Sequence, residues 1–290
     1  MSKVYLVTGS ARGLGWDVTS AALAAGHEVV ATARRPDQLA GLVEQYGARI
    51  LPIGLDVTDY PGAQAVVQAA VDRFGRLDVL VNNAGYANLA AVEDVTIEDF
   101  RAQVDTNLFG VVNLTKAVLP VMRAQGAGHI IQVSSVGGRL STPGLSAYQA
   151  AKWAVGGFSE VLAQEVAGLG IKVTILEPGG LRTDWAGSSM AIPPISASYQ
   201  ATVGTVASRM GGHGTEAGDP AKVAQVILHL ADLAEPPLRL LLGTDAFAYA
   251  TAAGRARAAA DEAWRALSVS TDHDDATPAQ RDPLGQSASS

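Results

Sequence analysis

The amino-acid sequence predicts an α/β protein: a single domain built on a doubly wound, mostly parallel β-sheet, with one large insertion. Two observations lead there. Short β-branched, apolar runs alternate with longer helical patterns through most of the chain, as they do when each strand is followed by a crossover helix. Most of those runs are apolar on both faces, which is the requirement for strands covered by helices on each side.

In order, the candidate strands are Val4–Thr8, Glu28–Ala33, Arg49–Leu55, Val79–Asn82, His129–Ser134, Lys172–Glu177 and Leu238–Leu242. Helical patterns occupy Gly13–Ala25, Pro36–Tyr46, Pro61–Phe74, Ile97–Gln125, Ala147–Leu169 and Pro220–Leu233. Two regions interrupt the alternation. Residues 186–218 are rich in Gly, Ser, Ala, Pro and Met and read as a long insertion holding one helix. After Tyr249 an alanine-rich helix is expected over Ala252–Leu267, which closes a domain of residues 1–267. From Ser268 onward Ser, Thr, Asp and Pro dominate, so residues 268–290 are expected to be a disordered tail.

Composition narrows the function. The 290 residues are 48% hydrophobic and 17% charged, the balance of a soluble globular protein. A net charge of −7 disfavours nucleic acid and anionic membrane as partners. The sequence contains no cysteine, so thiolate nucleophiles, disulfides and cysteine-ligated metals are all excluded. The five histidines (His27, His129, His213, His229 and His273) lack ligand spacing and read as surface or strand-edge residues, so no metal is expected. The N-terminal apolar run is too short for a signal peptide, and no stretch matches a membrane span. A cytoplasmic protein is the expectation.

Between the first strand and the first helix lies Thr8-Gly9-Ser10-Ala11-Arg12-Gly13-Leu14-Gly15. Glycines there allow a sharp turn and a close approach of phosphate to the backbone, while the helix that follows presents free N–H groups and a partial positive charge. The spacing departs from G-x-G-x-x-G, so this motif alone reads as a nucleotide or phosphate binder. The second strand ends in Ala33-Arg34-Arg35 with no acidic residue to hold a ribose 2′-hydroxyl. Arg34, with Arg12 in reach, suits the 2′-phosphate of NADP instead.

Farther along, Tyr148-Gln149-Ala150-Ala151-Lys152 puts a phenol and an ammonium on one helix face. A nearby ammonium favours the phenolate, and such a pair can exchange a proton with a carbonyl or alcohol oxygen. Ser134-Ser135 ends a strand thirteen residues upstream of the tyrosine, and Asn82-Asn83-Ala84-Gly85 ends the strand before it. Both lie at the carboxyl edge of the sheet, where ligands of open α/β sheets bind. Ordinary turn chemistry would also favour Asn and Gly there.

Taken together, the glycine motif, Asn82–Gly85, Ser135, Tyr148, Lys152 and Pro178-Gly179 followed by Thr183 resemble, in order and spacing, the short-chain dehydrogenase/reductase family up to about Ala248. The resemblance implies a Rossmann-like fold and hydride transfer between a nicotinamide cofactor and a carbonyl or alcohol. It implies Tyr148 as general acid or base, and Lys152 as the group that depresses its pKa and binds the nicotinamide ribose. Ser135 would polarise the substrate oxygen, and Asn107 would anchor a water of the proton relay. Asp56 and Val57 would border the adenine, Asn83, Ala84 and Gly85 the adenosine ribose, and Leu181 and Thr183 the carboxamide. The insertion would be a lid over the substrate. Its Trp185, Met190, Ile192, Pro193, Pro194 and Ile195 either line a pocket for a hydrophobic carbonyl compound or pack the lid onto the body.

Pro236–Gly243 resembles the hydroxysteroid and retinol dehydrogenase-like branch. The helices bearing Asn107 and Tyr148, with Trp153, Val155 and Phe158, would build a homodimer or homotetramer interface. Reduction with NADPH, oxidation of an alcohol, and a non-catalytic NADP sensor remain the readings at this point; the complete Ser-Tyr-Lys set weighs against the last.

Overall fold

Seven parallel strands form one sheet in the order β3-β2-β1-β4-β5-β6-β7. They are β1 (Val4–Thr8), β2 (Glu28–Ala33), β3 (Ile50–Gly54), β4 (Val79–Asn82), β5 (Gly128–Val133), β6 (Ile171–Pro178) and β7 (Arg239–Leu242). The protein is described by a computed structural model, which covers residues 2–183, 190–210 and 216–284. The direction of strand addition reverses between β1 and β4, and that switch point opens a crevice at the carboxyl ends of the strands.

Apolar residues on the two faces of the sheet feed two separate cores. On one face Tyr5, Val7, Val29 and Val81 pack with Val18 and Leu23 of α1 (Gly13–Ala24), Leu42 of α2 (Ala40–Tyr46) and Ile227 of α8 (Pro220–Asp232). On the other, Leu6, Val30, Leu80 and Ile130 pack with Val67 of α3 (Tyr60–Phe74), Leu114 and Met122 of α5 (Gly110–Gln125) and Leu162 of α6 (Ser146–Val166). This double burial explains why the strands read as nearly continuous apolar runs.

Local chemistry sets the ends of the helices. α4 (Ile97–Val104) starts where Thr96 Oγ1 accepts from the Asp99 amide at 3.1 Å. α8 starts at Pro220, with Asp219 Oδ1 accepting from the Ala221 amide at 2.9 Å. Gly75, at φ 77°, ends α3.

The long helix expected over Ile97–Gln125 is broken in register. Between α4 and α5 lies a π-helical turn, Asp105–Phe109, in which the Gly110 amide reaches back five residues to Asp105 O. Such widened turns cluster at functional sites, and Asn107 sits in this one. His129 is a second difference. Expected at the surface or a strand edge, it is 3% exposed, bonds Thr174 Oγ1 through Nε2 at 2.9 Å, and is held down to about 4 by burial.

The insertion departs and returns at one point. Leu181 and Gly218 pair as an isolated parallel bridge, the Arg182 amide donates to Gly218 O at 2.9 Å, and the Gly218 amide donates to Gly180 O at 3.1 Å. Inside it, a turn at Ala197–Tyr199 and a π-turn at Gln200–Gly204 lead into α7 (Thr205–Met210). Trp185 and the first residues of the predicted lid lie outside the described residues.

The chain divides into two compact units, Met1–Tyr249 and Ala250–Ser290. Helix α9 runs from Thr244 to Val269, and α10 (Pro278–Arg281) is a single turn with Thr277 and Gln280 forming a capping box. The sequence reads this region as the end of one domain at residue 267 followed by a disordered tail.

Candidate active site

Three loops at the carboxyl edge of the sheet make the site: those after β1, β4 and β5. Thr8, the last residue of β1, ties the first two together, its Oγ1 accepting from the Asn83 amide at 2.9 Å and the Ala84 amide at 3.0 Å. Asn83 Nδ2 donates back to Thr8 O at 2.9 Å. This cross-bracing leaves no room for a side chain at Gly15 and little at Gly9. A Cβ on Gly15 would overlap Gly9 O, and one on Gly9, at φ 69°, would press on Ala84 Cα at 3.0 Å. The first turn of α1 therefore offers bare backbone to the crevice, the geometry that admits a pyrophosphate. Ser10 faces the other way. It is fully buried, with Oγ donating to Val7 O at 2.9 Å and its amide to Thr32 O, so it holds the loop from inside. Leu14 is buried as well, which leaves its backbone as the group able to face a ligand.

Arg12 and Arg34 are exposed at the ends of the β1 and β2 loops. Asp56 is exposed and accepts from the Thr58 amide and hydroxyl through Oδ1, whereas Val57 is buried and its carbonyl accepts from Asn113 Nδ2 at 3.0 Å. Thr183 lies over the glycine loop, 3.6 Å from where a Gly13 Cβ would stand. After β6, Pro178-Gly179-Gly180 is held by Asp245, whose Oδ2 accepts from the Gly180 amide at 2.8 Å. Leu181 is taken up in the bridge at the base of the insertion.

Two of the four residues expected to be catalytic meet at Gly85, where an added Cβ would stand 2.6 Å from Asn107 Oδ1 and 3.6 Å from Lys152 Nζ. Asn107, fully buried, donates through Nδ2 to Tyr86 O and Gln103 O, both at 2.8 Å, and accepts from the Tyr86 amide at 3.3 Å. Lys152 is 4% exposed, donates to Val133 O at 2.9 Å, and lies 5.6 Å from the centre of the Tyr148 ring. Ser135 Oγ accepts from the Gly137 amide at 3.0 Å and shares a hydrogen bond with the Tyr148 hydroxyl.

Burial dominates the electrostatics. It pushes the phenol of Tyr148 up to about 12, against the smaller opposing effect of the Ser135 hydrogen bond, and brings the Lys152 ammonium down to about 8. Desolvation outweighs any lowering of the phenol by its neighbours. Both groups are nearly dry, and the ionised form of each loses its hydration. Burial thus favours the protonated phenol.

Above Tyr148 lies a third apolar cluster made of Ala87, Leu89, Ala91, Leu145, Met190 and Val203. Met190 is buried and Ile195 partly so, whereas Ile192, Pro193 and Pro194 are exposed. Tyr86, Gln103, Asn88 and Thr8 are parts of the site that the sequence reading did not select. Thr8 alone carried a signal, as a hydroxyl directly preceding the glycine motif. Among the described residues no three His, Asp or Glu side chains come together as metal ligands, and no helix is long and apolar enough to cross a membrane.

Comparison with known proteins agrees with this geometry. Residues 3–191 match the family described as short chain dehydrogenase. An oxidoreductase of Botryotinia fuckeliana, BOA17, is 56% identical over 273 residues, covering 93% of this chain and all of that protein. The crystal structure of a short-chain dehydrogenase from Streptomyces avermitilis superposes with a TM-score of 0.89 at 42% identity, covering 94% of this chain and all of that one. A short-chain dehydrogenase/reductase from Burkholderia phymatum, in complex with NAD, shares the fold at a TM-score of 0.76 and 24% identity, over 86% of this chain and 92% of that one. These similarities give the family without the hydroxysteroid and retinol dehydrogenase-like branch. The chain belongs to the short-chain dehydrogenase/reductase family and is an oxidoreductase.

Proposed function

We propose that the protein reduces a ketone or aldehyde with NADPH, and that its substrate is hydrophobic. The observation that carries this reading is the hydrogen-bonded pair of half-buried Ser135 and buried Tyr148, whose phenol is kept protonated by burial, set against an apolar cluster. When bound, the cofactor supplies the hydride to the carbonyl carbon. Ser135 holds and polarises the carbonyl oxygen, and Tyr148 passes its proton to that oxygen as negative charge develops. Lys152, mostly charged at neutral pH, stabilises the phenolate left behind. Asn107 holds the loop at Tyr86 and anchors the water through which the proton is replaced.

Gly9, Gly13, Leu14 and Gly15 would cradle the pyrophosphate, and Arg34, with Arg12, would meet a 2′-phosphate. Asp56 and Val57 would border the adenine, Asn83 to Gly85 the ribose, and Pro178, Gly179, Leu181 and Thr183 the nicotinamide. Leu89, Leu145, Met190 and Val203 suit an apolar substrate, because burying apolar surface at that position is the interaction these side chains offer. Phe109, Trp153 and Val161 are exposed on the Asn107 and Tyr148 helices and would support a homodimer or homotetramer; Val155 is fully buried and Phe158 packs inward.

Fluorescence titration with NADPH and NADH, followed by NADPH oxidation across aromatic ketones, aldehydes, quinones and steroids, tests the reading. Tyr148→Phe should bind NADPH as the wild type does and lose about 1,000-fold in turnover. Wild-type turnover in that variant would remove Tyr148 as the acid, and no binding of either cofactor would overturn the assignment.

A further inference from the structure

Gln103 and Asn107 lie four residues apart at the junction of α4 with the π-turn, so both project from one side of the helix. Together they hold one short segment at two points. Asn107 takes both backbone polar groups of Tyr86, and Gln103 Oε1 accepts from the Asn88 amide at 3.0 Å. The spacings match: four helical residues rise about 6 Å, and two residues of extended chain span nearly the same length.

The clamp is itself braced. Gln103 is fully buried, and its Nε2 donates to Asp99 Oδ2 at 3.1 Å. Asn88 Nδ2 donates to the other carboxylate oxygen of Asp99 at 2.7 Å. The Gln103 carbonyl also accepts from Asn107 Nδ2 at 2.8 Å, which joins the two clamping residues directly. The clamped segment continues into the insertion. Asn88 Oδ1 accepts from the Ala191 amide at 3.0 Å, and the Leu89 amide donates to Ala191 O at 2.9 Å.

We propose that Gln103, braced by Asp99 and Asn88, is a positioning residue that fixes Asn107 beside Lys152, and that Asn88 makes the seating of the insertion one input to that position. This rests on the reductase reading for Asn107 as part of the proton relay. Gln103 touches no reacting atom and acts through Asn107 and the Tyr86–Asn88 segment. Seating of the 190–196 stretch over the substrate and assembly of the relay beneath it are then a single event, because both pull on the same three residues.

Gln103→Met keeps the side-chain length and removes both amide bonds; Asn88→Ala, at a half-buried position, removes the insertion's hold if the first variant folds poorly. Crystal structures of both variants read the position of Asn107 without reference to turnover. The expected result is loss of the Asn107–Tyr86 contact or a new Asn107 rotamer, with kcat lowered about 10- to 100-fold, KM little changed, NADPH binding intact and the pH profile of kcat displaced. Asn107 in its original place in both variant structures, with an unmoved pH profile, would overturn the proposal. A displaced Asn107 in an enzyme whose wild type turns over no carbonyl would support the positioning role and count against the reductase reading alone.

Discussion

Where β1 and β4 end, the crevice is shaped by backbone. Gly9, Gly15, Ala84 and the Thr8 hydroxyl meet at distances that allow no added atom. Around Tyr148 the packing is by side chains: Leu89, Leu145, Met190 and Val203, buried together and drawn from separate stretches of chain, form a second wall. Hydrogen bonds from Ser196 to Asp94 and from the Tyr199 hydroxyl to Glu93 hold that wall at its rim. A backbone wall has one admissible shape. A side-chain wall can be changed residue by residue.

The contrast can be broken most sharply on the backbone side. Gly15→Ala should cost about 3 kcal/mol by chemical denaturation and abolish cofactor binding, since the new methyl group meets Gly9 O and Asn83 Nδ2. A variant of wild-type stability would show that the loop can yield. Arg34→Ala, at an exposed position, should leave stability within about 0.5 kcal/mol and weaken NADPH roughly 10- to 100-fold while sparing NADH. Equal losses for the two cofactors would place the 2′-phosphate elsewhere. Met190→Ala tests the side-chain wall. The KM for an apolar carbonyl should rise about tenfold with the NADPH Kd unchanged. A shift in NADPH binding instead would mean the two walls are coupled.

The same contrast explains what could be read from the sequence. Seven strands and the switch-point loops were legible because double burial and glycine requirements leave local signatures: Val29-Val30-Ala31 can be little else than a covered strand, and Tyr148 and Lys152 announce a shared helix face by spacing alone. The turn at Asp105–Phe109 left no such mark. Its residues pass for ordinary helix, and the widened register coincides with contacts that Asn107 and Gln103 make with a segment fifteen to twenty-one residues earlier in the chain. The direction of the Tyr148 pKa was hidden for a related reason. A four-residue spacing shows that an ammonium is near, but the water lost by the phenol depends on Leu89, Met190 and Val203, which arrive from distant parts of the sequence. Ser10 was selected for its place in the motif, and only the packing reveals that its hydroxyl is spent on Val7.

The pairing of Leu181 with Gly218 makes the insertion a closed excursion whose two stems stand side by side. Because the ends are already joined, a change in the length of the chain between them adds little to the entropic cost of closing it, provided the contacts of Ala191 with Asn88 and Leu89, of Ser196 with Asp94 and of Tyr199 with Glu93 are kept. The insertion is in that sense a graftable cassette. A relative's segment spliced between Thr183 and Glu216 should fold on this frame where it keeps those contacts, and a change of substrate preference carried over with it would be the sign that the insertion reads the substrate.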